Sequence, residues 1–476
     1  MTDVIIVGAG IGGLTAAALL AAAGRQVAVY ESAGTPGGKL REVAVNGSRI
    51  DSGPTVFTLR PVFEAIFAAA SAKLEDHLTL TPLPCLCRHV WEGSAPLDLT
   101  CDTAANAAAI AQFAGANAAR AYEKFAARAG AIFEMLDSTF MQIQQPGLAG
   151  LLVRAGPRLA GISPFNSLWQ ELAKYFPDSR LHQLFGRYAT YCGSSPFAAP
   201  ATLMLITHAE QRGVWSVEGG MFRLATALET VAKQNGATFH YNAAVSEITA
   251  SNSRVSGIKL ASGEIFAAKT VIANADLMAL STGLLGPAAR AAVAGFTKGA
   301  APSLSALTWS LTGSVSGFTP THHNVFFSRD YPGEFVEIAD RKLPTDPTIY
   351  LCAPDGANGR FFLLINAAAG LTPSPDAIES AFTRAVQKLA ACGATLSVAE
   401  KIFTGPNEFA TRFPGSAGAL YGRALDGWKD SFARPGAKTR LPGLYLAGGS
   451  VHPGPGLPMA ALSGKLAAQC VLSTRL

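Results

Sequence analysis

Charge is what this sequence of 476 residues has least of. Asp, Glu, Lys and Arg make up 15% of it, against roughly 25% in ordinary soluble domains. The AVILMFWYC set fills 49%, even though the 48 glycines are counted apart from it. A surface so poor in charge suits an apolar partner. The formal net charge of +5 is small for the length, and no Lys/Arg block occurs. That argues against a nucleic-acid partner and leaves only weak attraction to anionic lipid. The seven cysteines are odd in number and scattered, and Cys85-Leu86-Cys87 is C-x-C, without the C-x-x-C spacing of redox and zinc sites. Reduced, buried thiols in a cytoplasmic protein are expected. Asp3 stands where a signal peptide carries basic residues. No run of about 18 apolar residues follows, so no transmembrane helix is expected. Paired carboxylates, a metal-ligand cluster and a nucleophile triad are all missing. No metal is therefore expected, and no catalytic residue is assigned.

The stretch Val4–Glu31 is what the rest is organised around. Val4-Ile5-Ile6-Val7 is apolar on both faces, as a central strand of a parallel sheet must be. The chain then turns through Gly8, Gly10 and Gly13 in G-x-G-x-x-G spacing. Gly8 permits the tight turn, Gly10 lets backbone approach a pyrophosphate, and Gly13 lets the helix pack close on the strand. Leu14–Ala23 is built from strong helix formers and Gly24 is placed to end it. Its N-terminus would aim free N–H groups and the positive end of the dipole at phosphates. Val27–Tyr30 predicts the second strand, closed by Glu31, whose carboxylate can accept from both ribose hydroxyls. Strand, glycine turn, helix, strand and acid in register predict a dinucleotide site.

One loop later, Gly37 and Gly38 flank Lys39, a cation positioned to meet a second part of the cofactor. Ile50–Thr55 predicts a strand running into a turn, with Asp51 a turn-capping carboxylate as readily as a functional one. Residues 104–213 read mainly as helices. Within them Gln145–Phe165 is apolar, with Leu148, Leu151, Leu152 and Leu159 on one face and Arg154 and Arg158 flanking. This is the pattern of an interfacial anchor, or equally of a helix packed inside the protein. Short strands follow to Lys269–Asn274. Alternation through Leu304–Leu311, Val325–Ile338 and Phe361–Asn366 predicts a second, largely antiparallel sheet, and Pro375–Ala391 a long helix. Near the end, Gly443–Ala447 enters a glycine- and proline-rich turn, Gly448–Met459, ahead of a helix over Ala460–Leu472.

Both ends of the chain thus read as strand, glycine turn, helix. A fold that returns to its first domain would bring both turns onto one long cofactor. NAD needs no such second embrace. FAD can use one, the first turn holding the ADP half and the last helix pointing its N-terminus at the flavin.

These motifs, with Tyr191–Phe197, Gly213–Leu224, Val271–Asp276 and Gly443–Gly464, resemble the bacterial carotenoid desaturase family. These are FAD enzymes related to phytoene desaturase and more distantly to amine oxidases. His452-Pro453-Gly454 matches the family's C-terminal flavin segment, but the surrounding wording is closer to the branch that desaturates 1-hydroxy- or 1-methoxy-carotenoids at the 3,4 position. The resemblance implies a Rossmann-like α/β FAD-binding domain, a mixed-sheet substrate domain and a helical, membrane-facing lobe. The expected division is FAD binding over 1–75, 214–276 and 404–476, substrate binding over 76–103 and 277–403, and the helical lobe over 104–213. It further implies that Gly8, Gly10, Gly13, Glu31, Gly38 and Lys39 hold the ADP half. Val245 should meet the adenine end, while Gly449, Pro458 and Met459 lie along the ribityl and isoalloxazine end.

The implied reaction is hydride transfer from an allylic CH2–CH2 unit to flavin N5 with loss of a proton. His452 is the tempting proton acceptor, and as readily a histidine holding a tight turn. With one dinucleotide fingerprint and no second, O2 or a membrane quinone is the expected oxidant. At about 0.8 kcal/mol per buried CH2, a carotenoid of about forty carbons costs tens of kcal/mol to place in water. The enzyme is therefore expected to dock peripherally on the cytoplasmic face of a membrane, its tunnel mouth near Gln145–Phe165. Phytoene desaturation, carotenoid cis–trans isomerisation on reduced FAD, oxidation of a soluble amine and a carotenoid carrier without turnover are the rival readings.

Overall fold

The computed structural model describes residues 2–144, 147–156, 163 and 165–474. Its first layer is a five-stranded, all-parallel sheet in the order Thr238–His240, Val27–Tyr30, Val4–Val7, Thr270–Ala273, Leu444–Leu446. The N-terminal strand is central because it is buried on both faces, and only flanking strands and covering layers on both sides satisfy such a run. Val4 sits in register with Val27 on one side and Thr270 on the other. Strands from the beginning, middle and end of the chain therefore share one sheet.

On one face lie the helices Ile11–Ala22, Arg223–Gln234 and Leu457–Ser473. Helix Ile11–Ala22 is buried on all sides through Ala21. Its contact with Leu457–Ser473 is backbone against backbone: a Cβ at Gly464 would lie 2.1 Å from the carbonyl oxygen of Gly12. The other face is covered by a three-stranded antiparallel sheet, Val245–Ser251, Arg254–Leu260 and Ile265–Ala267.

A second, seven-stranded sheet runs Thr395–Thr404, Ser305–Ser316, Asn358–Ala367, Ile349–Cys352, His323–Phe326, Cys87–Val90, Leu97–Leu99. It is antiparallel except where His323–Phe326 pairs parallel with Cys87–Val90. Helix Pro375–Ala391 packs on it through Phe382, Ala385 and Leu389. The alternation over Val325–Ile338 holds only to Phe326, after which Tyr331–Ala339 is a helix. The reason is local: Asp330 accepts from the Gly333 N–H at 3.0 Å and Pro332 occupies the first turn, two start signals that override the apolar alternation. A helical layer, with Ala116–Leu136 its longest element, packs against the seven-stranded sheet through Phe125, Ile132 and Phe185 on one side and Val325 and Phe327 on the other.

Candidate active site

The carboxyl ends of the parallel strands open onto a cavity of about 1430 Å³. That exceeds the roughly 300–1,000 Å³ of ordinary small-molecule sites. Its polar end is built by the turns that leave those strands. Gly8 and Gly10 follow Val4–Val7, Glu31 follows Val27–Tyr30, Asn274 follows Thr270–Ala273 and Gly448-Gly449 follow Leu444–Leu446, the usual place for a ligand in an open α/β sheet.

The glycines here answer crowding. A Cβ at Gly10 would lie 2.7 Å from Asn274 Nδ2, and one at Gly13 would lie 2.2 Å from the Gly8 carbonyl oxygen. Gly13 is accordingly absent from the cavity wall and sits where helix meets strand. Glu31, 8% exposed, accepts at Oε2 from the Ala9 N–H (2.7 Å), and at Oε1 from the Ala33 N–H (2.8 Å) and Ser32 hydroxyl (3.1 Å). Three of its roughly four lone-pair sites are thus used, Oε2 keeping acceptor capacity, and Glu31 faces the cavity as Val245 does. Gly38, Lys39, Gly449, Pro458 and Met459 line the same space.

Two helices end on this wall without protein caps. Ile11–Ala22 begins at Gly10 and Leu457–Ser473 at Gly456, neither with a side-chain cap nor an acid in the first turn. Their first N–H groups are thus left for a ligand.

Lys39 lines the cavity and also reaches a distant part of the chain. Its Nζ donates to the Leu420 carbonyl at 2.7 Å, and burial pushes the ammonium pKa down, with Asp276 opposing. It ties the Gly37–Lys39 loop to the last stretch of the chain. Arg434, which the sequence gave no reason to single out, does similar work. Its guanidinium donates to the carbonyls of Gly449 (3.0 Å), Tyr421 (3.0 Å) and Arg423 (2.7 Å), and burial lowers it to about 10.

His452 does not line the cavity. Its Nε2 lies 3.0 Å from the Phe140 carbonyl, and burial pushes its pKa down to about 4. It is a neutral histidine holding the C-terminal turn against the helical layer. Asp51 is a cap: it accepts from the Met221 (2.8 Å) and Phe222 (3.2 Å) N–H groups.

The far end of the cavity is apolar, lined by Phe133, Leu136, Phe140, Leu203, Ile206 and Leu425. A buried polar cluster adjoins it. Arg187 donates through Nη1 to the Tyr191 hydroxyl (2.8 Å), and Tyr191 and Tyr188 donate to the two oxygens of Glu210 (2.7 and 2.6 Å). Nearby, the Tyr350 hydroxyl lies 2.6 Å from Thr55 Oγ1 and 2.7 Å from His323 Nδ1. Strand pairing sets His323 opposite Cys352, and with His322 they bring three potential ligand atoms within 4.8 Å. The trio has no spacing signal in the sequence. Burial holds the Cys352 thiol protonated, its pKa pushed up to about 12, and pushes both histidines down.

A cavity with a dinucleotide turn at its polar end is the site of an enzyme that uses a dinucleotide cofactor. The model of the flavin-containing amine oxidoreductase family matches residues 11–472. The chain is 44% identical to hydroxyneurosporene desaturase of Rubrivivax gelatinosus, over 99% of this chain and 93% of that one. With the enzyme of the same name from Cereibacter sphaeroides it shares 42% identity, over 99% and 97% of the two chains. An oxidoreductase from Methanosarcina mazei has the same fold at a TM-score of 0.65 and 17% identity, over 99% of this chain and 100% of that one. The chain belongs to the flavin-containing amine oxidoreductase family, in its branch of bacterial carotenoid desaturases. It is an FAD-dependent oxidoreductase. The residues present fit FAD: Gly8, Gly10 and Glu31 line the polar end of the cavity, and two uncapped helix starts offer N–H groups to its phosphates and flavin.

Proposed function

We propose that the protein introduces the 3,4 double bond into a 1-hydroxy- or 1-methoxy-carotenoid at a membrane surface. The observation that carries this reading is the continuity of the cavity from a glycine-lined polar end into a long apolar one. In this reading Gly8, Gly10, Glu31 and Val245 face the ADP half, Gly13 seats the helix behind it, and Gly38 and Lys39 order the adjoining loop. Gly449, Pro458 and Met459 face the flavin. The parallel sheet and its coverings bind FAD, while the seven-stranded sheet and helical layer shape the substrate tunnel.

FAD, when bound, supplies the hydride acceptor. The protein's own residues align the allylic CH2–CH2 unit and keep water out. Positive charge left beside a polyene is delocalised, so proton loss makes no demand for a strong base. With FAD bound, O2 or a membrane quinone would serve as the oxidant.

Docking on the bilayer is supported by the mouth. Val153 is 85% and Phe165 80% exposed; Phe165 stacks edge-on against Trp428 at 5.9 Å, and both line the cavity with Leu151. Of the apolar stretch 145–165, residues 145, 146, 157–162 and 164 lie outside the described residues. No helix among the described residues is long and apolar enough to cross a membrane.

The test is to supply purified protein and FAD with membranes carrying hydroxylated and unhydroxylated carotenes. A product lighter by two hydrogens, with longer-wavelength absorption, is expected. Unchanged mass with altered geometry would mean isomerisation, and no flavin bleaching under anaerobic mixing would mean a carrier.

A further inference from the structure

His322, His323 and Cys352 form a cluster that the flavin site does not use, and none of them lines the cavity. Cys352 ends the strand Ile349–Cys352 and stands in register with His323, which begins its antiparallel neighbour. His322 precedes that strand, its carbonyl accepting from the Ala353 N–H at 2.9 Å. It therefore escapes the alternation of faces along a strand, and its ring centroid lies 4.5 Å from that of His323. One ligand atom from each of the three residues lies within 4.8 Å of the others. We propose that this trio is a zinc-binding site, separate from the flavin site, that clips the two strand ends together.

One atom of the trio calls for such a ligand. His323 is 2% exposed; its Nδ1 lies 2.7 Å from the Tyr350 hydroxyl, and its Nε2 is buried with no partner. Buried polar atoms are normally satisfied. Nε2 is closed to the cavity and to any substrate group, but an ion held between side chains needs no opening of molecular size. With Nδ1–H donating to Tyr350, and Tyr350 to Thr55 at 2.6 Å, Nε2 keeps its lone pair for a metal. An outer hydrogen bond of this kind is what orients metal-bound histidines. His322 is only partly buried and gives the ion its way in.

The donor set selects the ion. Two imidazoles and a thiol suit Zn2+ and are poor ligands for Mg2+ or Ca2+, which take oxygen. Both imidazoles are neutral at pH 7, so only Cys352 has a proton to lose. Binding breaks its S–H bond and forms a Zn–S bond, and the proton leaves to water. Asp51 and Asp355 supply negative charge beside Cys352, partly offset by Arg360 and Arg187. Tetrahedral ligands at zinc bond lengths stand about 3.4–3.6 Å apart, so the trio need close by only about 1 Å, within reach of side-chain rotation. Arg360 holds both oxygens of Asp355, which leaves the fourth position to water.

The experiment strips the FAD-loaded protein with EDTA, dialyses it against Zn2+ and then against zinc-free buffer, and measures bound metal. About one zinc ion per chain should remain. Co2+ in its place should give intense tetrahedral bands in the visible and a thiolate charge-transfer band in the near ultraviolet. Tyr350→Phe, which removes only the outer hydrogen bond, should weaken zinc binding about 10- to 100-fold. Loss of a direct ligand in His322→Gln or Cys352→Ser should cost more, and Cys101→Ser, at an exposed thiol, should bind as wild type. Wild-type flavin absorbance marks each variant as folded, and the cobalt spectrum decides the matter without any variant. No retained zinc in the unaltered protein, cobalt without the charge-transfer band, or zinc held equally well by His322→Gln overturns the site.

Discussion

Gly464→Ala adds one methyl group where two helices meet without side chains. Its Cβ would lie 2.1 Å from the Gly12 carbonyl oxygen, 2.9 Å from the Gly12 carbonyl carbon and 3.0 Å from Thr15 Cβ. Two of these three atoms are backbone, so no rotamer change relieves the contact. Reaching ordinary van der Waals distance requires helix Leu457–Ser473 to retreat by about 1 Å, an overpacking cost of about 1–3 kcal/mol. The same helix carries Pro458 and Met459 on the cavity wall. If the whole cost falls on the holo form, FAD affinity drops by about 5- to 150-fold. Gly24→Ala is the control: it too changes a glycine, at φ +79°, but nothing lies within 4 Å of the new Cβ. It should cost about 1 kcal/mol of left-handed backbone strain and leave FAD binding alone. Flavin fluorescence titration and thermal unfolding of both variants decide the matter. Wild-type FAD affinity and stability in Gly464→Ala would refute the close helix crossing as the device that positions the C-terminal turn.

Glu31→Gln keeps the shape but sets a neutral amide against the Ala9 and Ala33 N–H groups; FAD affinity should fall by about 1–3 kcal/mol, read by titrating apoprotein. His452 has its pKa pushed from 6.5 down to about 4 by burial, so on acidification the unfolded chain takes up its proton first. Its contribution to stability is complete above about pH 6.5 and lost as pH falls through about 4. Melting temperature measured across that window should fall less steeply in His452→Gln than in wild type. Val153→Asp with Phe165→Asp removes two exposed apolar groups, Phe165 on the cavity wall and Val153 on the helix that carries Leu151, each worth about 1.5–3 kcal/mol when buried. Flotation with liposomes should drop at least tenfold while FAD content stays constant, and unchanged flotation would move the docking face elsewhere.

Some of this architecture is written contiguously in the chain. Val4–Glu31 announces its own structure because each part constrains its neighbour: an apolar run, a turn only glycine can make, a helix, a strand and an acid in register. The C-terminal strand and turn carry the same grammar, and from the two together FAD could be inferred before any coordinates. The helix Tyr331–Ala339 was hidden for an equally local reason. Apolar alternation runs on over Val325–Ile338, and two residues within it, the Asp330 cap and Pro332, break it.

What folding alone decided concerns side chains whose meaning depends on distant partners. Lys39 sits beside the nucleotide turn in sequence, but its bond is to Leu420, 381 positions away. His452 looked like a base and is pinned by Phe140, 312 positions away. Arg187 lies in a stretch whose spacing says nothing of chemistry, and only folding buries it against Tyr191, which with Tyr188 donates to Glu210. Backbone turns and periodic strands are set by short-range sterics, so the sequence by itself determined the nucleotide fold and its cofactor. Burial and pairing of a single polar side chain are set by whatever the long-range packing brings against it, and that only the tertiary structure decided.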